Sequence, residues 1–233
     1  MTQLFFSDYH AEEGTGRPLV IFGAGGLGRE VLDLVRQLNA AGAGWDVRGF
    51  YDDAAPAAPT VAGLPYLGTS AALNATAEPL AVAVAVGSSA GRAAVAGRLT
   101  SGQLAFPALV HPGVVLGPAQ RIAVGAGCVI QQGCILTCDI TLGRFVLLNL
   151  GCTVGHDAAL GDFCSLMPRV NVGGAARLAP GVYLGTGATV IQGISVGEDT
   201  TVGAGAVVVR DLPARVTAVG VPARVIKQLT VSS

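Results

Sequence analysis

The sequence predicts two units of different class: an α/β domain built on a parallel sheet, then an all-β parallel β-helix. Two observations carry that prediction. The first is a glycine-rich turn, Gly23-Ala24-Gly25-Gly26-Leu27-Gly28, set between the apolar run Leu19–Phe22 and an amphipathic segment. The second is a six-residue repeat that continues without a break from Val124 to Val208. Residues 106–112 join the units, which gives domains of residues 1–105 and 106–233.

In the first unit Leu19–Phe22 reads as a strand. Arg29–Asn39 reads as a helix, because Val31, Leu34, Val35 and Leu38 fall on one face at helical spacing. Val47–Tyr51 is a second strand ending at Asp52-Asp53, and residues 54–63, rich in Ala and Pro, read as a loop. Leu80–Val86 is a third strand, followed by Gly87-Ser88-Ser89 and a helix over Ala90–Leu99. Strands that alternate with helices imply a parallel, Rossmann-like sheet of about three strands. Gly23, Gly25 and Gly28 make a G-x-G-x-x-G between strand and helix, with Asp52 at the end of the next strand. In that context glycines let a phosphate approach the backbone, and the helix N-terminus favours an anion. So few strands cannot make a complete dinucleotide fold, so a mononucleotide or nucleotide-sugar site fits better. A tight turn with no ligand is the alternative.

In the second unit every sixth residue from Val124 through Ile130 and Leu136 to Val208 is Val, Ile or Leu, fifteen positions in all. A second small or apolar set lies four residues after each of these, and it holds Cys128, Cys134, Cys152 and Cys164. Free cysteine behaves as a small buried filler, so these four read as core residues and not as a disulfide or metal set. A period of six fits neither a helix nor an alternating strand; it fits short strands joined by tight turns. Three hexads make one triangular coil, so residues 18 apart stack. Val124, Leu142, Leu160, Leu178 and Val196 then form one inner ladder. Val110, Leu116 and Ile122 form an earlier hexad out of phase by two residues, an irregular first coil. The tail after Asp211 holds Pro213, Gly220 and Pro222, then a short apolar segment.

Composition excludes several functions. Half of the 233 residues are apolar, 12% are charged and the net charge is −1, without the clustered Lys and Arg that nucleic-acid binding needs. No apolar run is long enough to cross a membrane. Met1–His10 lacks the cationic start of a signal peptide, so a cytoplasmic location is expected. The three histidines, His10, His111 and His156, make no plausible metal set, because only His156 lies inside the regular repeat. His156 is followed by Asp157. It falls near a corner of the coil, stacked with Cys138, Gly174 and Gln192, small or neutral residues that leave room for a substrate. Histidine titrates near neutrality and can take a proton from an amine or hydroxyl, and an adjacent carboxylate can orient the ring.

At these residues the chain resembles the hexapeptide-repeat acyltransferases. It is most similar to the subgroup that acetylates sugars: nucleotide-4-amino-sugar N-acetyltransferases and sialic acid O-acetyltransferases. The resemblance spans roughly residues 18–227. It rests on Leu19 to Gly26, Gly49-Phe50-Tyr51-Asp52-Asp53, Val86-Gly87, Leu109-Val110-His111-Pro112, Asn149 with Val154-Gly155-His156-Asp157, Leu160-Gly161-Asp162-Phe163, and Val219 to Arg224. It implies a left-handed β-helix, a homotrimer, and acetyl-CoA bound between adjacent β-helices, so that the active site is shared by subunits. His156 would be the general base, supported by Asp157. Asn149 would contact the substrate, and Gly23, Gly25, Gly26, Asp52, Asp53, Gly87 and Ser88 would hold the nucleotide part of a nucleotide-linked amino sugar. Ser165, Gly173, Gly174, Gly220, Val221 and Pro222 would line the coenzyme site. Two positions depart from the pattern: many members carry histidine where this chain has Leu27 and Ser165. Amine acetylation in bacterial glycan synthesis leads the expectations, with no metal. O-acetylation of a sialic acid-like sugar and a non-catalytic nucleotide-binding β-helix are the alternatives.

Overall fold

The structure, a computed structural model, describes residues 16–228. The signal-peptide reading of Met1–His10 lies outside the described residues. The first unit runs β1 (Arg17–Phe22), α1 (Gly26–Ala40), β2 (Trp45–Tyr51), β3 (Thr60–Val61), β4 (Leu64–Gly68), α2 (Ser70–Asn74), β5 (Leu80–Val84), α3 (Ser89–Arg98) and β6 (Leu104–Ala105). The sheet order is β3-β4-β2-β1-β5-β6, parallel throughout except for the short β3–β4 pair.

The sheet thus has six strands where the sequence predicted about three. β3 lies inside the expected loop. The added strands are short edge elements, one of them interrupted by Pro65, and none has a long alternating pattern. β5 stops at Val84, two residues early, and the Val86 carbonyl accepts a hydrogen bond from Arg92 instead of continuing a ladder. The centre of the sheet is buried on both faces. Leu19 and Ile21 pack with Val31, Leu34 and Val35 of α1, while Val20 and Phe22 pack with Val95 and Leu99 on the other side. That two-sided burial explains why β1 reads as a continuous apolar run.

The second unit is a left-handed parallel β-helix. Each hexad contributes one two-residue strand, from Ala123–Val124 to Val207–Val208. Residues 18 apart pair in register: Leu142 lies between Val124 and Leu160, and Leu148 between Ile130 and Leu166. Leu142, Leu160, Leu178 and Val196 are buried, and Val124 is half-buried in the first of these coils. Cys128, Cys134, Cys152 and Cys164 are free and buried in the same core. Val110 pairs with Ile130, 20 residues away. The chain between them, which carries a 3-10 turn at Pro118–Gln120, accommodates the two-residue phase shift.

The β-helix has three faces. The docking face carries Leu109–Val110, Val129–Ile130, Leu147–Leu148, Ser165–Leu166, Tyr183–Leu184 and Thr201–Val202. Its outward residues Leu109, Val129 and Leu147 join the core cluster of the first unit around α1. The second face runs from Ile135–Leu136 to Val207–Val208, and the third from Ala123–Val124 to Ser195–Val196. The tail is a hairpin: Val216–Val219 extends the docking face in parallel, and Arg224–Gln228 returns antiparallel to it.

Candidate active site

The glycine turn divides into two kinds of glycine. Gly23 has φ +117°, and a Cβ there would lie 2.5 Å from the Ala85 carbonyl oxygen; one at Gly28 would lie 1.9 Å from the Gly23 oxygen. Both are required by packing. Gly25 and Gly26 face open space, with nothing within 4 Å of an added Cβ. Gly25 is also the N-cap of α1 and offers no side chain to its first N–H groups. Those donors stay available to an anionic ligand. Asp52 Oδ2 accepts from Ala24 N at 2.8 Å and Oδ1 accepts from Ala54 N at 2.9 Å, so this carboxylate ties the turn to the end of β2. Asp53 accepts from Ser70 N at 2.8 Å and pairs with Arg98 at 2.8 Å. The Ser70 N–H above all, aided by Arg98, holds the Asp53 carboxyl below its ordinary range. Gly87 faces the turn: the nearest atom to an added Cβ is Leu27 Cδ2, at 3.9 Å. Ser88 caps α3, its Oγ accepting from Gly91 N at 3.0 Å.

His156 and Asp157 sit at the corner between the second and third faces, in the coil above Cys138 and below Gly174. Asp157 N donates to the Cys138 oxygen, and Ala175 N to the His156 oxygen. His156 Nδ1 and Asp157 Oδ2 are 2.7 Å apart, with both side chains mostly exposed. An ionised carboxylate only accepts, so this bond keeps the hydrogen on Nδ1 and leaves the Nε2 lone pair outward. The ring lies over Gly174, where an added Cβ would fall 2.6 Å from Nε2. Among the described residues Nε2 has no hydrogen-bond partner. Gly173 is different: its added Cβ would meet the backbone nitrogen of Gln192 at 2.5 Å, so close stacking of coils demands glycine there.

The other expected residues are spread over the molecule. Asn149 is buried at the corner between the docking and second faces, and its Oδ1 accepts from Leu150 N at 2.7 Å. Asn149 and His156 therefore flank the second face from opposite edges. The Gly220–Pro222 segment lies against the last strand of that face, with Val207 N donating to the Gly220 oxygen at 3.0 Å and Ala223 N to the Val207 oxygen at 2.7 Å. The glycine turn and Gly87 lie on the docking side, across the β-helix from His156, so one chain does not bring them together.

Ser165 corrects an expectation. It was assigned to the coenzyme site, yet it is 0% exposed. It points from the docking face into the junction between units. Its Oγ accepts from Ser89 Oγ and Arg92 Nη2, each at 2.9 Å, and donates to the Gly87 oxygen at 3.0 Å. A side chain so enclosed has no surface to offer a coenzyme. Arg92, its partner, was missed by sequence reasoning. Burial pulls the Arg92 guanidinium down to about 10, still protonated at neutral pH. The available signal was spacing: Ser89, Arg92 and Val95 occupy one face of a short helix, and all three are buried.

Residues 18–99 match the PglD N-terminal domain family. A comparison with curated protein sequences finds no significant match. Among solved structures, a histidine-to-asparagine variant of perosamine N-acetyltransferase from Caulobacter crescentus, in complex with CoA and GDP-perosamine, is 31% identical. That match covers 91% of this chain and 97% of the other, with a TM-score of 0.80. The acetyltransferase domain of PglB from Neisseria gonorrhoeae, in complex with acetyl coenzyme A, is also 31% identical, over 91% of this chain and 100% of that one, with a TM-score of 0.81. WeeI from Acinetobacter baumannii is 27% identical over 90% and 100%, with a TM-score of 0.74.

Proposed function

The chain belongs to the hexapeptide-repeat sugar acetyltransferases, and we propose that it moves the acetyl group of acetyl-CoA onto the amine of a nucleotide-linked amino sugar in bacterial glycan synthesis. The observation that carries this reading is the His156–Asp157 pair, with Nδ1 fixed by the carboxylate and Nε2 outward over Gly174. Acetyl-CoA supplies the acetyl group as a thioester, open to an amine at its carbonyl carbon. As the C–N bond forms, His156 Nε2 takes the amine proton. As the C–S bond breaks, the imidazolium returns that proton to the departing sulfur. Asp157 holds the ring in the required tautomer and stabilises its charged form. Residues 1–105 hold the nucleotide, with the free N–H groups at Gly25 and Gly26 directed at phosphate and Gly87 and Ser88 forming the facing wall. Residues 106–233 carry the base and the acetyl-CoA site.

The second face supports a path for acetyl-CoA. Its outward row above His156 is Asn171, Thr189 and Val207, all of modest size and uncharged, between Gly173-Gly174 at one edge and Gly220–Pro222 at its C-terminal end. The acceptor elements and the base face opposite sides of one chain. We therefore assign the complete site to two neighbouring copies of a homotrimer, the glycine turn and Asn149 from one and His156 from the next. Among the described residues no helix is long and apolar enough to cross a membrane, and a cytoplasmic enzyme is the working reading.

The test is acetyl transfer to a panel of nucleotide-linked amino sugars, followed by thiol release. The expected result is acetylation of one acceptor, with His156→Ala slower by about a hundredfold or more. Wild type that ignores every amine yet acetylates a sugar hydroxyl would replace this reading with O-acetylation. A His156→Ala variant of full activity would remove His156 from the chemistry.

A further inference from the structure

Arg92 is 2% exposed and has no carboxylate partner among the described residues. Every nitrogen of its guanidinium is nevertheless bonded. Nε donates to the Phe145 oxygen at 2.8 Å. Nη1 donates to the Val86 oxygen at 2.7 Å and the Gly87 oxygen at 3.3 Å. Nη2 donates to the Phe163 and Cys164 oxygens and to Ser165 Oγ, at 2.9, 3.0 and 2.9 Å. The first unit contributes the loop after β5, and the β-helix contributes a corner of two successive coils, since Phe145 and Phe163 stand 18 residues apart. Burying a cation without a counter-ion costs free energy that an apolar side chain in the same volume would not. What the guanidinium supplies instead is direction: a rigid planar fork meets its acceptors in one arrangement, which a lysine cannot reproduce. Ser165 completes the arrangement from the β-helix side by donating to the Gly87 oxygen.

Building on the acceptor reading above, we propose that Arg92, with Ser165, is a positioning device that fixes the Gly87–Ser88 wall of the acceptor site to the β-helix. That loop faces Leu27 across the nucleotide cleft, and every carbonyl it turns inward is held by Arg92 or Ser165. With the clamp in place, the depth at which the acceptor is presented is set by the β-helix that carries the chemistry. Without it, the loop moves on the α/β domain alone.

The experiment compares wild type, Arg92→Met, Arg92→Lys and Ser165→Ala as full-length proteins. It reads amide hydrogen exchange over residues 86–91, binding of GDP, UDP and dTDP, and binding of coenzyme A. In Arg92→Met and Arg92→Lys, exchange at 86–91 accelerates and nucleoside diphosphate binding weakens about tenfold or more, while coenzyme A binding stays within about twofold. Ser165→Ala, which loses one side-chain partner and keeps the core, shifts the same two readouts by a smaller factor and serves if Arg92→Met does not fold. Unchanged exchange at 86–91 in a folded variant overturns the proposal. So does equal weakening of both ligands, which marks a general structural role. Wild type that binds none of the three diphosphates counts against the acceptor reading, and exchange at 86–91 still decides the clamp.

Discussion

Replacing Gly174 by alanine separates catalysis from folding. Gly174 does not have positive φ, so alanine is compatible with its backbone. The three atoms nearest the added Cβ all belong to the His156 ring: Nε2 at 2.6 Å, Cε1 at 2.8 Å and Cδ2 at 3.0 Å. An ordinary carbon contact is about 3.5 Å, so the ring must retreat by roughly 1 Å. The ring is mostly exposed and free to swing, so the protein accommodates the methyl group at little cost in stability. Catalysis does not escape, because a displacement of about 1 Å at a reacting group costs up to about a hundredfold, and the swing also strains the Nδ1–Asp157 bond. The expected result is a kcat lower by ten- to a hundredfold, within that same rough limit, with an unchanged melting temperature. Gly173→Ala is the counterpart. Its methyl meets the Gln192 backbone nitrogen at 2.5 Å and the Ile191 carbonyl carbon at 2.8 Å. Backbone cannot swing aside, so this variant loses about 1–3 kcal/mol of stability. Steady-state kinetics and thermal melting of both variants decide the matter. Full activity in Gly174→Ala would refute the inference that the ring works from its present position. Early melting of Gly174→Ala would make that glycine structural, like its neighbour.

Two further expectations concern stability. Leu160 is 2% exposed, between Leu142 and Leu178 in the inner ladder; Leu160→Ala costs about 2–5 kcal/mol by denaturant unfolding, and a loss under about 1 kcal/mol would mean that the ladder is not the main support of the coil. The Asp53 carboxyl is held below its ordinary 3.8. Its stabilising effect is thus present above the unfolded-state value of about 3.9 and lost as pH falls through the lower folded value. The melting gap between wild type and Asp53→Asn closes as pH drops from about 5 toward 3, and a gap constant over that range would show that the charged form contributes nothing.

The β-helix was legible because its signal is redundant. Fifteen hexads repeat one inward position, and each inward side chain meets only others like it. His156 was legible for the same reason: a titratable residue in a column of small ones marks a corner that the repeat does not need. The α/β unit was half legible. β1 and β5 are buried on both faces and announce themselves, whereas β3 and β6 are two-residue edge pairings held by neighbours remote in sequence. Ser165 shows the limit of the repeat as a guide. The hexad places it outward, but nothing in a six-residue period distinguishes a face that meets solvent from one that meets another domain. Arg92 was hidden by the same gap, since its partners are backbone carbonyls and carbonyls leave no mark in a sequence.

The two departures from the family pattern, Leu27 and Ser165, meet in space. Leu27 packs against the cluster that contains Leu109, Val129 and Leu147, and it lies nearest to Gly87 across the turn. Ser165 holds the Gly87 carbonyl from behind. Two positions 138 residues apart in the chain, where the resemblance expects imidazoles, therefore flank one loop. Both replacements remove a titratable group. One substitutes apolar surface, and the other substitutes a hydroxyl small enough to fit beneath Arg92. The base is untouched, because Asp157 and the clearance at Gly174 lie across the β-helix from this loop. The change is thus concentrated on the wall that we assign to the acceptor. It bears on which nucleotide-linked sugar is selected rather than on how the acetyl group is moved, and the diphosphate affinities of wild type and Ser165→Ala read that wall directly.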